Sequence, residues 1–396
     1  MRSIGVLLII GLLLGLYTNP NRAILSSKPK PFLYNIRNLE ELKQKGEKDP
    51  TIKKFLRNVN RITSEEPITV VGKTVSFSSN PHDYCSLAPY SWSDDNNPDG
   101  SYVTIDGVIN PEKDDYDRPK LKELADRLQQ FSIAYYISED DVYFEAFEMN
   151  LKAWFIDSLT YMAPNFEYAQ VVKGKDDNKG RPYGLVEMED FTRIIESVYL
   201  INSVRLLDDG MVSSLQLWFS SFLNWVINSH QWQKQSKTNN NIVTGCNNTI
   251  LEMALFIGNK RLVKQIARDN MKSILQMQID DEGKQPAELK RTKAFGYSVY
   301  NLRKIVDFAL IMEQVGVKFY KRNQKKLDSA FEYLLQFEGN HDAFPYKQIN
   351  SWEGYEKQLK KNISRLVRVS SRKSLIADMA RELTEKDPNS IVGYVY

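Results

Sequence analysis

Residues 121–135 read Leu121-Lys122-Glu123-Leu124-Ala125-Asp126-Arg127-Leu128-Gln129-Gln130-Phe131-Ser132-Ile133-Ala134-Tyr135, and this stretch decides the fold class. Leu121, Leu124, Ala125, Leu128, Phe131 and Tyr135 recur at spacings of three and four, which puts them on one face of a helix. Ser138, with Asp141 three residues on, is placed to cap a second helix. The apolar face of that helix is Phe144, Phe147, Leu151, Trp154, Phe155 and Leu159. Further amphipathic stretches run over about 188–208, 211–228, 249–268, 300–316, 320–337 and 371–384. Roughly ten helices with little strand pattern predict an all-α fold in a single large domain. Antiparallel helix pairs in this number close into an incomplete (α/α) toroid whose long loops line a cleft at one rim. No fixed-period repeat is present, which argues against a solenoid.

Outward from this helical body, the ends differ in character. Arg2 precedes an unbroken apolar run, Ile4 to Leu16, and the chain turns polar at Thr18-Asn19-Pro20-Asn21-Arg22-Ala23. The run is shorter than the roughly 20 residues needed to cross a bilayer, so residues 1–23 read as a secretory signal peptide, with an uncleaved signal anchor as the alternative. A secreted, extracytoplasmic protein follows, with no membrane contact beyond that segment. Residues 24–66 form a polar extension with one helical pattern around Leu39 to Phe55. The toroid domain is expected over 67–385, and residues 386–396 are a tail. Between Pro67 and Pro111 the chain is dense in Pro, Gly, Asn, Asp and Ser, with Thr69-Val70-Val71 and Val75-Ser76-Phe77 as candidate strands. Long loops of this kind in compact domains are usually functional.

The 53 basic and 50 acidic residues nearly cancel, and no basic run interleaved with aromatics marks a nucleic-acid groove. The three histidines and two cysteines lack zinc-ligand spacing, so no metal is expected. Asn247-Asn248-Thr249 and Asn362-Ile363-Ser364 match glycosylation acceptors, which matter only in a eukaryotic host.

Chemistry concentrates elsewhere. The stretch Asp281-Glu282-Gly283-Lys284-Gln285-Pro286-Ala287-Glu288-Leu289-Lys290-Arg291-Thr292, followed by Tyr297-Ser298, sets a guanidinium and a phenol a few residues apart at the mouth of a helix. Removal of a proton next to a carboxylate needs such a pair, a cation for the anion and a hydroxyl for the proton. The bland reading is a surface Arg and a packed Tyr. Asn80-Pro81-His82-Asp83-Tyr84-Cys85-Ser86-Leu87-Ala88-Pro89-Tyr90-Ser91-Trp92 supplies an imidazole, phenols and an indole, rings that stack on sugar faces. Met162-Ala163-Pro164-Asn165-Phe166-Glu167-Tyr168-Ala169-Gln170, with Arg181 downstream, and Phe344-Pro345-Tyr346-Lys347-Gln348-Ile349-Asn350-Ser351-Trp352-Glu353 are similar, though each alone is explained by packing.

In order and wording these segments resemble the alginate lyase superfamily, secreted all-α polysaccharide lyases that split polyuronates by β-elimination. The likeness covers about residues 68 to 360. It implies an (α/α) toroid and a catalytic set of Asn, His, Arg and Tyr, of which Asn241, Arg291 and Tyr297 match three. His82, Tyr84, Asn165, Tyr168, Gln170 and Arg181 match positions that line the family's cleft, and Trp92 and Tyr346 are further candidates for sugar contact. The departure is at Asn240-Asn241-Ile242, where the family's histidine is replaced by Ile242. The same resemblance brings Cys85 and Cys246 to loops bordering one cleft, where a disulfide is expected.

The function implied is a polyuronate lyase acting on alginate- or glucuronan-like chains. Tyr297 would be base and acid in a syn elimination, and Asn241 and Arg291 would neutralise the carboxylate. The phenol's ordinary pKa of about 10 would have to fall, which Arg291 would favour. An anti elimination needs a second base, the task of the missing imidazole. The alternative is a catalytically impaired, carbohydrate-binding relative that keeps the cleft. A glycoside hydrolase using Asp94 or Glu187 with Glu189 is a third reading. The partner is an anionic polysaccharide, no cofactor is implied, and a monomer is expected.

Overall fold

The computed structural model describes residues 30–94, 96–97, 100–370 and 391–396. The signal segment and the helix expected over 371–384 lie outside the described residues. The helices, in chain order, are α1 (Ile36–Lys45), α2 (Pro50–Ile62), α3 (Arg118–Ser138), α4 (Asp141–Phe155), α5 (Glu189–Val204), α6 (Asp209–Asn228), α7 (His230–Gln235) and α8 (Asn241–Phe256). They continue as α9 (Lys260–Ser273), α10 (Pro286–Leu289), α11 (Ala294–Gln314), α12 (Phe319–Arg322), α13 (Gln324–Leu335), α14 (Glu353–Leu366) and, near the C-terminus, α15 (Ile391–Tyr394).

Packing sorts them into two layers. In the inner row α3 lies on α5, α5 on α8 and α8 on α11; outside it α4 backs α3, α9 backs α8 and α14 backs α11. The burial pattern explains the sorting. Every residue of α8 from Val243 to Ala254 is buried, as is every residue of α5 from Ile194 to Asn202. A helix buried on all sides belongs inside. In α9 only the stripe Leu262, Ile266, Ala267 and Asn270 is buried, which suits an outer position. The result is an all-α, incomplete α/α toroid.

An aromatic cluster locks the layers together. Phe191 of α5 meets Phe155, Phe166, Trp218, Phe219 and Phe222 with centroid distances of 5.0 to 6.3 Å, mostly edge to face. Each such pair contributes roughly 0.5–1.5 kcal/mol beyond its buried area.

Several local expectations are corrected. The pattern over Leu39–Phe55 is two helices, because Gly46 takes φ +54° and Asp49 caps a new helix beginning at Pro50. The 249–268 stretch likewise splits into α8 and α9, since Gly258 turns at φ +74° and Asn259 caps α9. The cap of α4 is Asp140, whose carboxylate accepts from Val142 N at 3.1 Å, while Ser138 bonds back to the Ala134 carbonyl. The candidate strands at Thr69–Val71 and Val75–Phe77 are irregular backbone. The strands present are β1 (Cys85–Leu87), β2 (Ser91–Trp92), β3 (Val103–Thr104) and β4 (Tyr168–Val171). Strand β1 runs parallel to β4 with Cys85 opposite Tyr168, and β2 and β3 form a hairpin with Ser91 opposite Thr104. The β2–β3 hairpin reaches the start of α11 through Tyr90, which meets Tyr297, and the loop after α13 joins it there through the bridge between Gln348 and Lys293.

Both glycosylation expectations fail on burial. Asn247 lies inside α8, 5% exposed and bonded to Asn270, and Asn362 lies inside α14, fully buried and donating to the Val299 carbonyl. Neither amide can meet a transferase in the folded chain.

Candidate active site

After α9 the chain turns at Gly283, where φ is +80°, and enters the short helix α10. The Arg291 amide then bonds to the Glu288 carbonyl and the Tyr297 amide to the Lys293 carbonyl, so two successive turns fix the backbone of both residues. The Arg291 guanidinium lies over the Tyr297 ring, 4.2 Å from its centroid. Asp106, just beyond β3, accepts from Arg291 at 2.8 Å and from the Thr292 hydroxyl at 3.0 Å. Tyr90, just before β2, brings its hydroxyl to 3.0 Å from that of Tyr297. The hairpin that carries Tyr90 and Asp106 is tied down by the Trp92 indole, which donates to the Val108 carbonyl at 3.0 Å.

Electrostatics correct one expectation. The Tyr297 phenol is pushed above its ordinary range, first by burial and then by its hydrogen bond to Tyr90. Arg291 pulls it down, but Asp106 opposes that pull and the balance is upward. Burial works against the Asp106 carboxylate too, yet the bonds from Arg291 and Thr292 outweigh it and hold the group below the usual range. The ring is therefore a protonated phenol at neutral pH, beside an internal ion pair.

Asn241 opens α8, behind the cap supplied by Asn240. Its backbone N–H and its side-chain amide both donate to the Glu288 carboxylate at 2.6 Å. Glu288, buried and pushed upward by that burial, thus links the Arg291 turn to the start of α8. Ile242 packs half-buried against the core.

The remaining sequence candidates divide. Gln170, at φ +53°, accepts from Arg181 at 2.9 Å, and Arg181 is within electrostatic reach of Tyr90 and Arg291. These two join the cluster. Tyr84 does not: it is fully buried, donates to Glu187 at 2.8 Å and stacks on Phe166, so it cannot meet a sugar. The His82 ring is held at 2.6 Å from the Tyr161 carbonyl, and the Asn165 amide donates to Asp83, both shaping loops. Tyr168 accepts from Lys179 at 3.0 Å, and Tyr346 packs beside Phe344. The expected disulfide is absent. Cys85 and Cys246 are free, buried thiols; Cys85 belongs to a small cluster with Leu87 and Tyr116, whereas Cys246 sits in the main core.

A cavity of about 630 Å³ inside the helix row is lined by Gln170, Glu187, Glu189, Gly245 and Lys304 among others, but by neither Tyr297 nor Arg291. Two of its carboxylates are engaged: Glu187 accepts from Tyr84 and Ser86, and Glu189 from Tyr300 and Lys304. The proton-transfer groups lie at the rim instead.

The segments that carry the motifs assign no role to Tyr90, Glu288 or Lys293, and Asp106 lies outside them. Their partners are distant in sequence, so spacing offered no signal.

Comparison with known proteins bears on the family and the fold. The sequence model of the family described as alginate lyase matches residues 69–344. An alginate lyase from Bacteroides ovatus is 26% identical, with a TM-score of 0.84, covering 93% of this chain and 99% of its own. A tetrasaccharide-bound, histidine-to-alanine variant of alginate lyase A1-III is 13% identical at a TM-score of 0.61, covering 95% and 98%. Alginate lyase A1-III from Sphingomonas species A1 gives 13% and 0.51, over 82% and 90%. At that identity the last two bear on the fold alone. Among curated proteins, none matches the chain.

Proposed function

Because this chain belongs to the alginate lyase family, we propose that it is a secreted polysaccharide lyase that cleaves an alginate- or glucuronan-like polyuronate by β-elimination. The observation that carries the reading is the hydroxyl contact between Tyr297 and Tyr90 under the guanidinium of Arg291.

Tyr297 is the proton carrier. As phenolate it takes the C5 proton of the uronate, the C4–O bond breaks as the C4–C5 double bond forms, and the phenol returns a proton to the leaving glycosidic oxygen. The C5 proton becomes acidic only if the neighbouring carboxylate is held by positive groups. Arg291 is one such group; Arg181 lies within reach of it. Asn241 is a weaker candidate than the sequence implied, because one amide hydrogen is committed to Glu288. Its second hydrogen remains for the sugar.

One base serves both transfers only when proton and leaving group lie on one face of the ring. Ile242 in place of an imidazole therefore supports a narrow, syn-selective substrate range. The test is incubation with polymannuronate, polyguluronate, glucuronan and a neutral glucan, following the ultraviolet absorbance of unsaturated products. Turnover of a single epimeric series is expected, and turnover of both series contradicts the single-base mechanism.

The apolar Ile242 and the tethered Asn241 favour a second reading, a carbohydrate-binding relative without turnover. Binding of these polymers with no absorbance change identifies it. Among the described residues no helix is long and apolar enough to cross a membrane; secretion rests on the N-terminal signal and is tested by sequencing the mature N-terminus.

A further inference from the structure

Among the cations at the rim and the inner cavity, Arg291, Lys304 and Arg181 are engaged. Arg291 is paired with Asp106. Lys304 is paired with Glu189. Arg181 donates to the amide oxygen of Gln170. Lys293 is different. It is only 8% exposed, yet among the described residues neither a carboxylate nor a hydrogen-bond acceptor meets its ammonium. The one contact of that ammonium is with the ring of Tyr90, at 5.9 Å from the centroid.

The backbone holds Lys293 firmly. Its neighbour Ala294 bonds to the Lys347 carbonyl, and Lys293 itself bridges to Gln348. Space for its stem is provided by Gly107, at φ +82°: a Cβ there would come within 3.2 Å of the lysine Cε. The stem of Lys293 is buried while its charge has no counter-charge beside it, so an arriving anion would meet an ammonium that no carboxylate competes for. The anion would arrive on the Tyr90 side, and Tyr90 is the residue whose hydroxyl touches Tyr297.

We propose that Lys293 is the substrate-binding cation of this site, receiving the uronate carboxylate whose neighbouring C5 proton Tyr297 removes. The inference rests on the lyase reading above and adds the group that supplies the unspent charge. An ammonium is a compact point charge with three donors, well suited to a carboxylate whose other oxygen faces Arg291. It moves no proton in this scheme; its contribution is to hold the charge that develops on the carboxylate as the C5 proton leaves.

The experiment measures binding calorimetrically in the Tyr297→Phe background, where turnover does not interfere. The probes are a uronate oligosaccharide and the same oligosaccharide methyl-esterified at its carboxyl groups. Adding Lys293→Met is expected to weaken the acid about 30-fold or more and to leave the ester unchanged, with Lys293→Arg restoring most of the affinity. Thermal unfolding of Lys293→Met without ligand is expected at the wild-type temperature or higher, since the ammonium removed has no ion-pair or hydrogen-bond partner to lose. Equal loss of acid and ester binding, unchanged acid binding, or a lowered unfolding temperature overturns the proposal. The lyase reading stands or falls separately, on turnover by the wild type and its loss in Tyr297→Phe.

Discussion

The hydroxyls of Tyr90 and Tyr297 lie 3.0 Å apart although 207 residues separate them in the chain. One comes from the loop before a two-residue strand and the other from the first turn of a long helix. Their contact makes a shared proton site at the rim of the toroid, beside the ion pair of Arg291 and Asp106.

The first prediction concerns pH. Burial and the bond to Tyr90 raise the Tyr297 phenol, so the phenolate needed as base is scarce at neutral pH. The value of kcat/KM reports ionisation in the free enzyme. It is expected to climb about tenfold per pH unit and to reach no plateau below about pH 10, the ordinary tyrosine value. A plateau near neutrality would mean another base.

Stability has the opposite sign. A group whose folded pKa is raised contributes stability below its unfolded pKa and loses it as pH rises through the folded value. Tyr34, which burial pushes up to about 12, and Tyr84, Tyr199 and Tyr396, also raised by burial, all act this way. Unfolding on the alkaline side should therefore begin above about pH 10. Circular dichroism against pH checks it, and constant stability through pH 12 would contradict it.

Tyr90→Phe separates the two phenols. Loss of its hydroxyl removes a bond that raises Tyr297, so the alkaline limb is expected to move to lower pH. The maximal rate should fall by about 10–10²-fold, within the range for loss of one positioned proton-transfer partner. A pH profile identical to the wild type would show that the contact has no part in the chemistry.

Gly283→Ala tests the turn that delivers Arg291. At φ +80° a side chain is strained, and a Cβ would also collide with the Ser329 carbonyl oxygen, which cannot move aside. Denaturant unfolding should show a loss of about 2–4 kcal/mol. Activity should fall further than the folded fraction explains, because α10 and Arg291 shift together. Unchanged stability would mean that the turn rearranges freely.

The fold was legible because helix burial is a local matter. Leu121, Leu124, Ala125, Leu128 and Phe131 are all fully buried, as their spacing requires. Arg291 and Tyr297 were legible because they lie close together in the chain, on either side of the start of α11. What spacing cannot express is which distant group satisfies a polar atom. Tyr84 looked like a sugar platform, yet its hydroxyl found Glu187 and the ring went into the core. Glu288 sat in the quoted segment without a role, because its partner Asn241 is 47 residues away. Helix α14 went unseen although Leu359, Ile363 and Leu366 are buried at helical spacing, since lysines crowd its other face.

The central claim is that a phenol carries the proton. Wild type and Tyr297→Phe should be compared on the polyuronate that supports turnover, by the rate at which the unsaturated product's ultraviolet absorbance appears. Loss of about 10²–10⁴-fold in kcat is expected, with oligouronate affinity kept within a few-fold. A Tyr297→Phe protein that produces unsaturated uronate at the wild-type rate would contradict it.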